Sequence, residues 1–330
     1  MILKLVHHLS IDILWKRALP ELVFLDLDCS GNETYRERDD WRYRALDPLY
    51  FRPAETLPVG WEGLPGLAWN LREHLGLERP ELFIVDSQWE LLIARVLRAK
   101  SIVWYAHGDF RDNGNPFHEF LRYCFEDLGD APTLYASRER QVRNEEWRKP
   151  RKSCLVFQGV PEECFVPTPD ETTDDVLWAR NHVYHRLSLD GKGAQRRQIQ
   201  ELGHHYRGRA HLAGYNDPSD FLRDWTLRGR VAPWDPFAGF GCQVELCRNH
   251  SPNCAPHELL AAGLPLVTWP QEGWSDAPVI QARTTEEFRR GIETTLAERR
   301  DRGDAGREWV RKHRHSDLWG EIVREFIQKL

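Results

Sequence analysis

Residues 256–269 run Pro-His-Glu-Leu-Leu-Ala-Ala-Gly-Leu-Pro-Leu-Val-Thr-Trp, and few architectures accept such a stretch. Pro256 suits the first turn of a helix, where its missing N–H costs nothing. Leu259, Leu260 and Ala262 supply an apolar face, and Gly263 can take the left-handed conformation that stops a helix. Residues 264–269 then form a continuous, largely apolar run, the mark of a strand buried on both faces. One carboxylate, Glu258, stands near the positive end of the helix, beside N–H groups that can receive an anion. On these residues alone, a βαβ crossover that binds nothing is equally admissible.

The rest of the chain agrees with an α/β reading. Leu22–Leu27, residues 3–6 and residues 81–86 read as short strands. Residues 90–99 read as a helix and 101–106 as the next strand, which makes a βαβ unit and predicts a parallel sheet. Residues 67–77 and 117–128 are predicted helical, and 131–137 and 154–160 extended. Residues 29–66 are polar, rich in Pro and Gly and without periodicity, so a long irregular connection is expected there. Pro161, Pro167 and Pro169 punctuate the chain among acidic and threonine residues, and 330 residues suffice for two cores. Domains are therefore predicted at 1–168 and 169–330, with the last helix free to pack back on the first. In the second domain strands are expected at 175–179, 210–215 and 241–247. Helices are expected around 195–202, at 286–299 and at 308–329.

Composition removes several function classes. A net charge of −6 gives no global attraction to nucleic acid, so such a partner must meet a local patch. No apolar run approaches the ~18 residues that span a bilayer, and no secretory leader pattern stands at the N-terminus. Seven scattered cysteines suit a reducing cytoplasm, which is the expected location, better than a disulfide framework. Fourteen tryptophans can serve as stacking platforms for sugars or bases, or simply as packing residues.

Several groups could carry chemistry. The strand 101–106 runs directly into His107, Gly108 and Asp109, and open α/β sheets bind ligands outside the carboxyl ends of their strands. Asp109 and His107 are the candidate bases; the alternative for Asp109 is a loop residue capping the next helix. Residues 191–197, Gly-Lys-Gly-Ala-Gln-Arg-Arg, lead into a helix and can present N–H groups, Lys192 and Arg196 to a phosphate. A solvated basic helix face is the plain alternative. Asn253 and Ser251 can cap the Glu258 helix or meet phosphates. Cys242, Cys247, His250 and Cys254 make a ligand set zinc could use, but at a spacing unlike zinc knuckles or ribbons. Asp26 and Asp28 form an Asp-x-Asp triplet, read as a strand end rather than a metal site. Arg138, Arg140, Arg143, Arg148, Lys149, Arg151 and Lys152 form a basic run containing Trp147, with a second cluster at His204, His205, Arg207 and Arg209. Basic and aromatic residues together suit a DNA backbone and a flipped base, although such runs are more often solvated faces.

Residues 258–267 resemble the nucleotide-sugar site of GT-B glycosyltransferases, in which a Glu before an Ala-Ala-Gly-x-Pro-x-Val stretch holds the ribose hydroxyls of the donor. Residues 135–139 and 157–167 resemble the close of the N-terminal GT-B domain, and Gly214 falls at a strand end where these enzymes carry glycine. The resemblance covers roughly residues 80–330. It implies an α/β GT-B fold, two facing Rossmann-like domains with the active cleft between them. The segment 102–111 is similar to the strand and Asp-x-Arg of the DNA β-glucosyltransferases of T-even phages, allowing one inserted residue. That likeness implies Asp109 as the base of an inverting transfer and Arg111 as an orienting or phosphate-binding partner. Arg196 matches a phosphate-contacting arginine there. Many retaining GT-B enzymes carry paired carboxylates in an E-x7-E pattern; His250 stands at the first position here, which tilts the expectation to inversion.

The resemblance thus implies a UDP-sugar as donor and co-substrate, no tightly bound cofactor and no required divalent metal. Donor contacts would come from Glu258, Arg196, Lys192, Gly193, Asn253, Ala255, Pro256 and Gly214. The acceptor side would use Arg111, Asn113, Arg138 and Trp147. The expected acceptor is the hydroxymethyl group of a modified pyrimidine in double-stranded DNA, with a glycan, lipid or secondary metabolite as the alternative. A catalytically inactive GT-B binding module is a third possibility. No membrane partner and a monomer are expected.

Overall fold

The structure, a computed structural model, describes residues 1–5, 9–27, 49–51, 79–86, 90–91, 94–95, 97–106, 128–146, 148–167, 172–180, 192–214, 219–228, 239–247, 254–271 and 273–330. Contacts divide the chain into two units, Met1–Gly159 with Asp317–Leu330, and Val160–Ser316.

The first unit begins with strand β1 (Ile2–Leu5), helix α1 (Leu9–Ala18), β2 (Leu22–Leu27), β3 (Leu49–Phe51) and β4 (Leu82–Val85). It continues through β5 (Ser101–Ala106), β6 (Thr133–Tyr135), helix α2 (Arg138–Glu145) and β7 (Ser153–Leu155). Among the described residues the strands form one sheet in the order β3-β2-β1-β4-β5-β6-β7, and every pairing is parallel. Such a sheet is covered on both faces, which is why β4 is apolar and buried at every position. Leu3, Phe83, Val85, Trp104 and Tyr135 lie in one core cluster.

Two features depart from the sequence reading. The stretch 29–66, expected to be irregular throughout, contributes β3, whose Leu-Tyr-Phe triplet is too short to show a period but pairs with β2. Helix α1 was not anticipated, because its buried face includes the charged Asp12 and so breaks the apolar spacing.

The second unit holds β8 (Val176–Ala179), helix α3 (Lys192–His205), β9 (Ala210–Ala213), β10 (Thr226–Leu227) and β11 (Cys242–Glu245). Helix α4 (Cys254–Ala261), β12 (Leu266–Thr268), β13 (Ile280–Gln281), α5 (Thr285–Ala297) and α6 (Arg299–Arg314) follow. The described strands form a parallel sheet ordered β10-β9-β8-β11-β12-β13. The core gathers Trp178, Ile199, Leu202, Leu212, Val244 and Phe288. Helix α5 starts with a full capping box: Thr284 accepts the Glu287 N–H and the Glu287 carboxylate accepts the Thr284 N–H.

The final helical stretch, expected to be continuous over 308–329, is two helices. His315 has ψ 146°, which ends α6 before α7 (Ser316–Gln328) begins. Helix α7 belongs with the first unit. Its Trp319 meets Trp15 and Tyr105 edge to face, with centroids 5.0 and 6.0 Å away. Gly159 makes room for that indole, since a Cβ there would lie 2.8 Å from the Trp319 Cβ.

Candidate functional site

Helix α4 is fixed at both ends by its own sequence. Gly263 has φ 84°, the Leu264 N–H donates to the Leu259 carbonyl and the Gly263 N–H to the Leu260 carbonyl. This is the six-to-one and five-to-two pair of a Schellman stop, as Gly263 predicts. The helix starts at Cys254, so Ala255 and Pro256 lie in its first turn. The buried Gln243 of β11 donates through Nε2 to the carbonyls of Pro256 and Leu264, at 3.1 and 2.8 Å, joining helix start to strand entry. Behind α4, Gly303 and Gly306 of α6 allow close approach. A Cβ at Gly303 would lie 2.3 Å from the Gly263 carbonyl oxygen, and one at Gly306 2.3 Å from Leu260. Arg307 donates to the Ala261 and Ala262 carbonyls, each at 3.1 Å, satisfying the helix C-terminus. Glu258 is buried, at 2% exposure. Its neighbour His257 stacks on Trp274 with centroids 4.2 Å apart, and Trp309 lies beyond.

The carboxyl ends of four strands in this sheet are level: Ala179 pairs with Ala213, and Glu245 with Thr268. Helix α4 follows β11 and helix α3 follows β8 in the chain, so both helices begin after the carboxyl end of a strand, where open α/β sheets bind ligands. Gly214 ends β9 with φ 118°, a backbone state that favours glycine. Next to it stands a buried ion pair. Arg180 donates to Glu245 at 3.2 Å, and Glu245 also accepts Trp178 Nε1 at 3.3 Å and the Cys247 N–H at 2.8 Å. Burial alone would lower the Arg180 pKa, but Glu245 holds it above the ordinary arginine value. The Leu246 carbonyl accepts from Gln195 of α3 at 2.9 Å and from Trp269 Nε1 at 3.1 Å. Arg180, Glu245 and Gln195 were missed by sequence reasoning. For Arg180 and Glu245 the sequence offers a charge directly after the apolar run of β8 and an acid ending β11, but nothing that pairs the two.

The expected donor residues therefore divide. Glu258, Ala255 and Pro256 lie on α4, Lys192, Gly193 and Arg196 on the first turn and a half of α3, and Gly214 at the end of β9. A Cβ on Gly193 would meet open space. Arg196 is half-buried, with its guanidinium over the Phe221 ring at 5.6 Å. Asn253 lies outside the described residues, as do His107, Asp109, Arg111, Asn113 and Trp147. Strand β5, whose end leads into His107, pairs with β4 and β6 in the middle of the first sheet. Arg138 opens α2 and is exposed.

The basic run is not one solvated face. Arg148 is buried under Trp104, 5.1 Å from the ring, and donates to the carbonyls of Gly129 and Ala131. Lys152 donates to the Lys329 carbonyl at 2.8 Å and lies over Phe326. In the second cluster Asp224 pairs with Arg207 at 2.7 Å and His204 at 3.3 Å. Cys242, part of the possible zinc set, faces the core, and burial pushes its thiol pKa up, which disfavours the thiolate a metal needs. Among the described residues Trp15, Trp104, Trp178, Trp274 and Trp319 are fully buried. Among the described residues no helix is long and apolar enough to cross a membrane.

No family model matches the chain, and neither does any curated protein. Solved structures do. Sucrose-phosphate synthase from Thermosynechococcus elongatus superposes with a TM-score of 0.70 over 100% of this chain and 98% of its own, at 13% identity. WaaG, a glycosyltransferase involved in lipopolysaccharide biosynthesis, gives 0.63 over 98% and 99%, at 10% identity. UGT89C1 of Arabidopsis thaliana, solved with UDP, gives 0.53 over 98% and 99%, also at 10%. The fold is GT-B. Both parallel sheets and their crossover helices belong to that architecture, so α4 and the level strand ends of the second unit are features of a GT-B C-terminal half.

Proposed function

We propose that the chain is a nucleotide-sugar-dependent glycosyltransferase. The observation that carries this reading is the α4 assembly: a buried carboxylate, Glu258, on a helix whose N-terminus opens at the carboxyl edge of a parallel sheet, in a chain of GT-B fold throughout its length. The donor would be a UDP-sugar, the nucleotide seen in UGT89C1. Glu258 would accept hydrogen bonds from ribose hydroxyls. The first turns of α3 and α4, with Lys192, Gly193, Arg196, Asn253, Ala255 and Pro256, would meet the diphosphate. N–H dipoles and cations placed where charge builds on a departing diphosphate lower the barrier, because they need no reorganisation during reaction. The Arg180–Glu245 pair would fix the strand edge beneath it, and Gly214 would let the backbone approach. Asp109 would take the acceptor hydroxyl proton, assisted by His107, in an inverting transfer.

The finer acceptor reading is the hydroxymethyl group of a modified pyrimidine in DNA. It rests on the Asp109-to-Arg111 stretch and on the basic residues left exposed, Arg138, Lys149 and Arg151. A glycan, lipid or metabolite acceptor is the second reading, favoured by the internal engagement of Arg148 and Lys152. The test is nucleoside analysis of 5-hydroxymethylcytosine DNA after incubation with the protein and a panel of UDP-sugars, beside unmodified DNA. A sugar-sized gain on the modified base alone supports the DNA reading. Donor hydrolysis without any gain removes DNA and keeps the glycosyltransferase. Neither transfer nor hydrolysis contradicts both.

A further inference from the structure

The sheet of the second unit ends in a strand that its own ladder fastens weakly. Strand β10 has two residues, Thr226 and Leu227, both exposed, and stands at the sheet edge beside β9. Strands usually run ~3–10 residues, so pairing alone holds this one poorly. The next residue, Arg228, adds two bonds. Its N–H donates to the Leu212 carbonyl at 2.9 Å, and its side chain reaches back to β9, where Nε donates to Nδ1 of His211 at 2.9 Å. His211 is 4% exposed. Its Nε2 lies 3.5 Å from the carboxylate of Asp175, the residue before β8, and Phe240 meets the ring edge to face. Among the described residues, Arg228 from beyond β10 and Asp175 from before β8 are the charged groups that face this imidazole.

We infer that His211 and Arg228 form a proton-released latch on β10: the neutral imidazole holds the guanidinium and fastens the edge strand, and protonation of the ring frees both. A guanidinium has donors only, so this bond requires an Nδ1 that carries no proton. The one ring proton then sits on Nε2, on the side of Asp175. A second proton has only Nδ1 to occupy. There it meets the Arg228 N–H head on, so the acceptor is lost and two cations face each other. Burial, then Arg228, holds the His211 pKa below the ordinary 6.5, and Asp175 opposes them without reversing the direction. The opened form, with its imidazole in water, therefore takes up the proton first. The latch is closed above pH 6.5 and is released as pH falls through the folded value. Only one proton is exchanged, between water and Nδ1. Release loosens the carboxyl end of β10, beside the end of β9.

The test uses the full chain and needs neither donor nor acceptor. Nitrogen-15 spectra of labelled histidine side chains should show one ring in the Nε2–H form that takes its second proton below pH 6.5, and His211→Asn should remove that signal. In Arg228→Met the same ring should titrate higher, because one of the two influences that lower it is gone. Hydrogen exchange, corrected for its intrinsic pH dependence, should show protection of residues 226–228 falling below pH 6.5 by up to about tenfold per pH unit, the limit for one proton, and then levelling off. In Arg228→Met that protection should be low already above pH 7 and level with pH. If His211→Asn fails to fold, Arg228→Met still decides, because the side chain it changes is exposed. A His211 that titrates at or above 6.5, or a midpoint that does not move in Arg228→Met, overturns the bond. Protection of residues 226–228 that is flat with pH in the wild-type chain, or that falls equally in Arg228→Met, overturns the latch.

Discussion

The two sheets are both parallel and both covered by helices, yet their buried charges are arranged differently. In the C-terminal sheet the buried Arg180 pairs with Glu245. In the N-terminal sheet the buried Lys4 pairs with two carboxylates, Asp12 and Asp86. The first joins β11 to the residue that follows β8, and the second joins β1 to α1 and to the residue that follows β4. On the function proposed above, the first lies beneath the donor edge and the second in the unit that would receive the acceptor.

The largest expected effect separates those roles. Asp109→Ala should lower transfer by about 10²–10⁴-fold, the usual contribution of a general base, with UDP binding nearly unchanged. Glu258→Ala should instead weaken UDP binding in titration calorimetry. Loss of donor binding in Asp109→Ala would remove its assignment as the base and blur the contrast between the units.

Next in size is the removal of each buried cation. Arg180→Met leaves Glu245 without its ion-pair partner and should cost about 3–5 kcal/mol in denaturant unfolding. Lys4→Met leaves Asp12 and Asp86 without their shared ammonium and should cost at least as much. A clearly smaller cost for Lys4→Met than for Arg180→Met would contradict the contrast. A smaller effect concerns packing: Gly303→Ala forces a methyl against the Gly263 carbonyl and should cost about 1–3 kcal/mol, visible as a lower Tm.

The smallest effect is a pH response of opposite sign. His211 of β9 is buried, accepts Arg228 Nε at 2.9 Å and lies 3.5 Å from Asp175. Burial first, then Arg228, lowers its pKa below the ordinary 6.5, with Asp175 opposing. The unfolded chain then binds the extra proton, so this contribution is present above pH 6.5 and is lost as pH falls through the folded value. Glu90 acts the other way. Its folded pKa lies above the ordinary 4.5, so its contribution is present below that value and is lost as pH rises toward 8. Segment-resolved hydrogen exchange should therefore show the C-terminal unit loosening in acid and the N-terminal unit in mild alkali. His211→Asn should remove the first response and leave the second.

Much of the C-terminal site was legible because local signals agreed with tertiary need. Gly263 predicts a left-handed stop and adopts one, and the apolar run after it is a buried strand. The platform beneath was not legible, because Arg180, Glu245, Gln195 and Gln243 act through long-range contacts that leave no spacing in sequence. The same reason hid the N-terminal cluster. Lys4 and Asp12 look like surface residues until β4 supplies Asp86 beside them. Arg148 misled in the opposite sense: it extends a basic run in sequence while its side chain turns inward beneath Trp104.

The most direct measurement is hydrogen exchange of the full chain with and without UDP, segment by segment. Donor binding in the C-terminal unit predicts added protection in the first turns of α3 and α4 and at the ends of β8 and β11, lost in Glu258→Ala. Protection confined to Met1–Gly159, or none at millimolar UDP, would contradict the account.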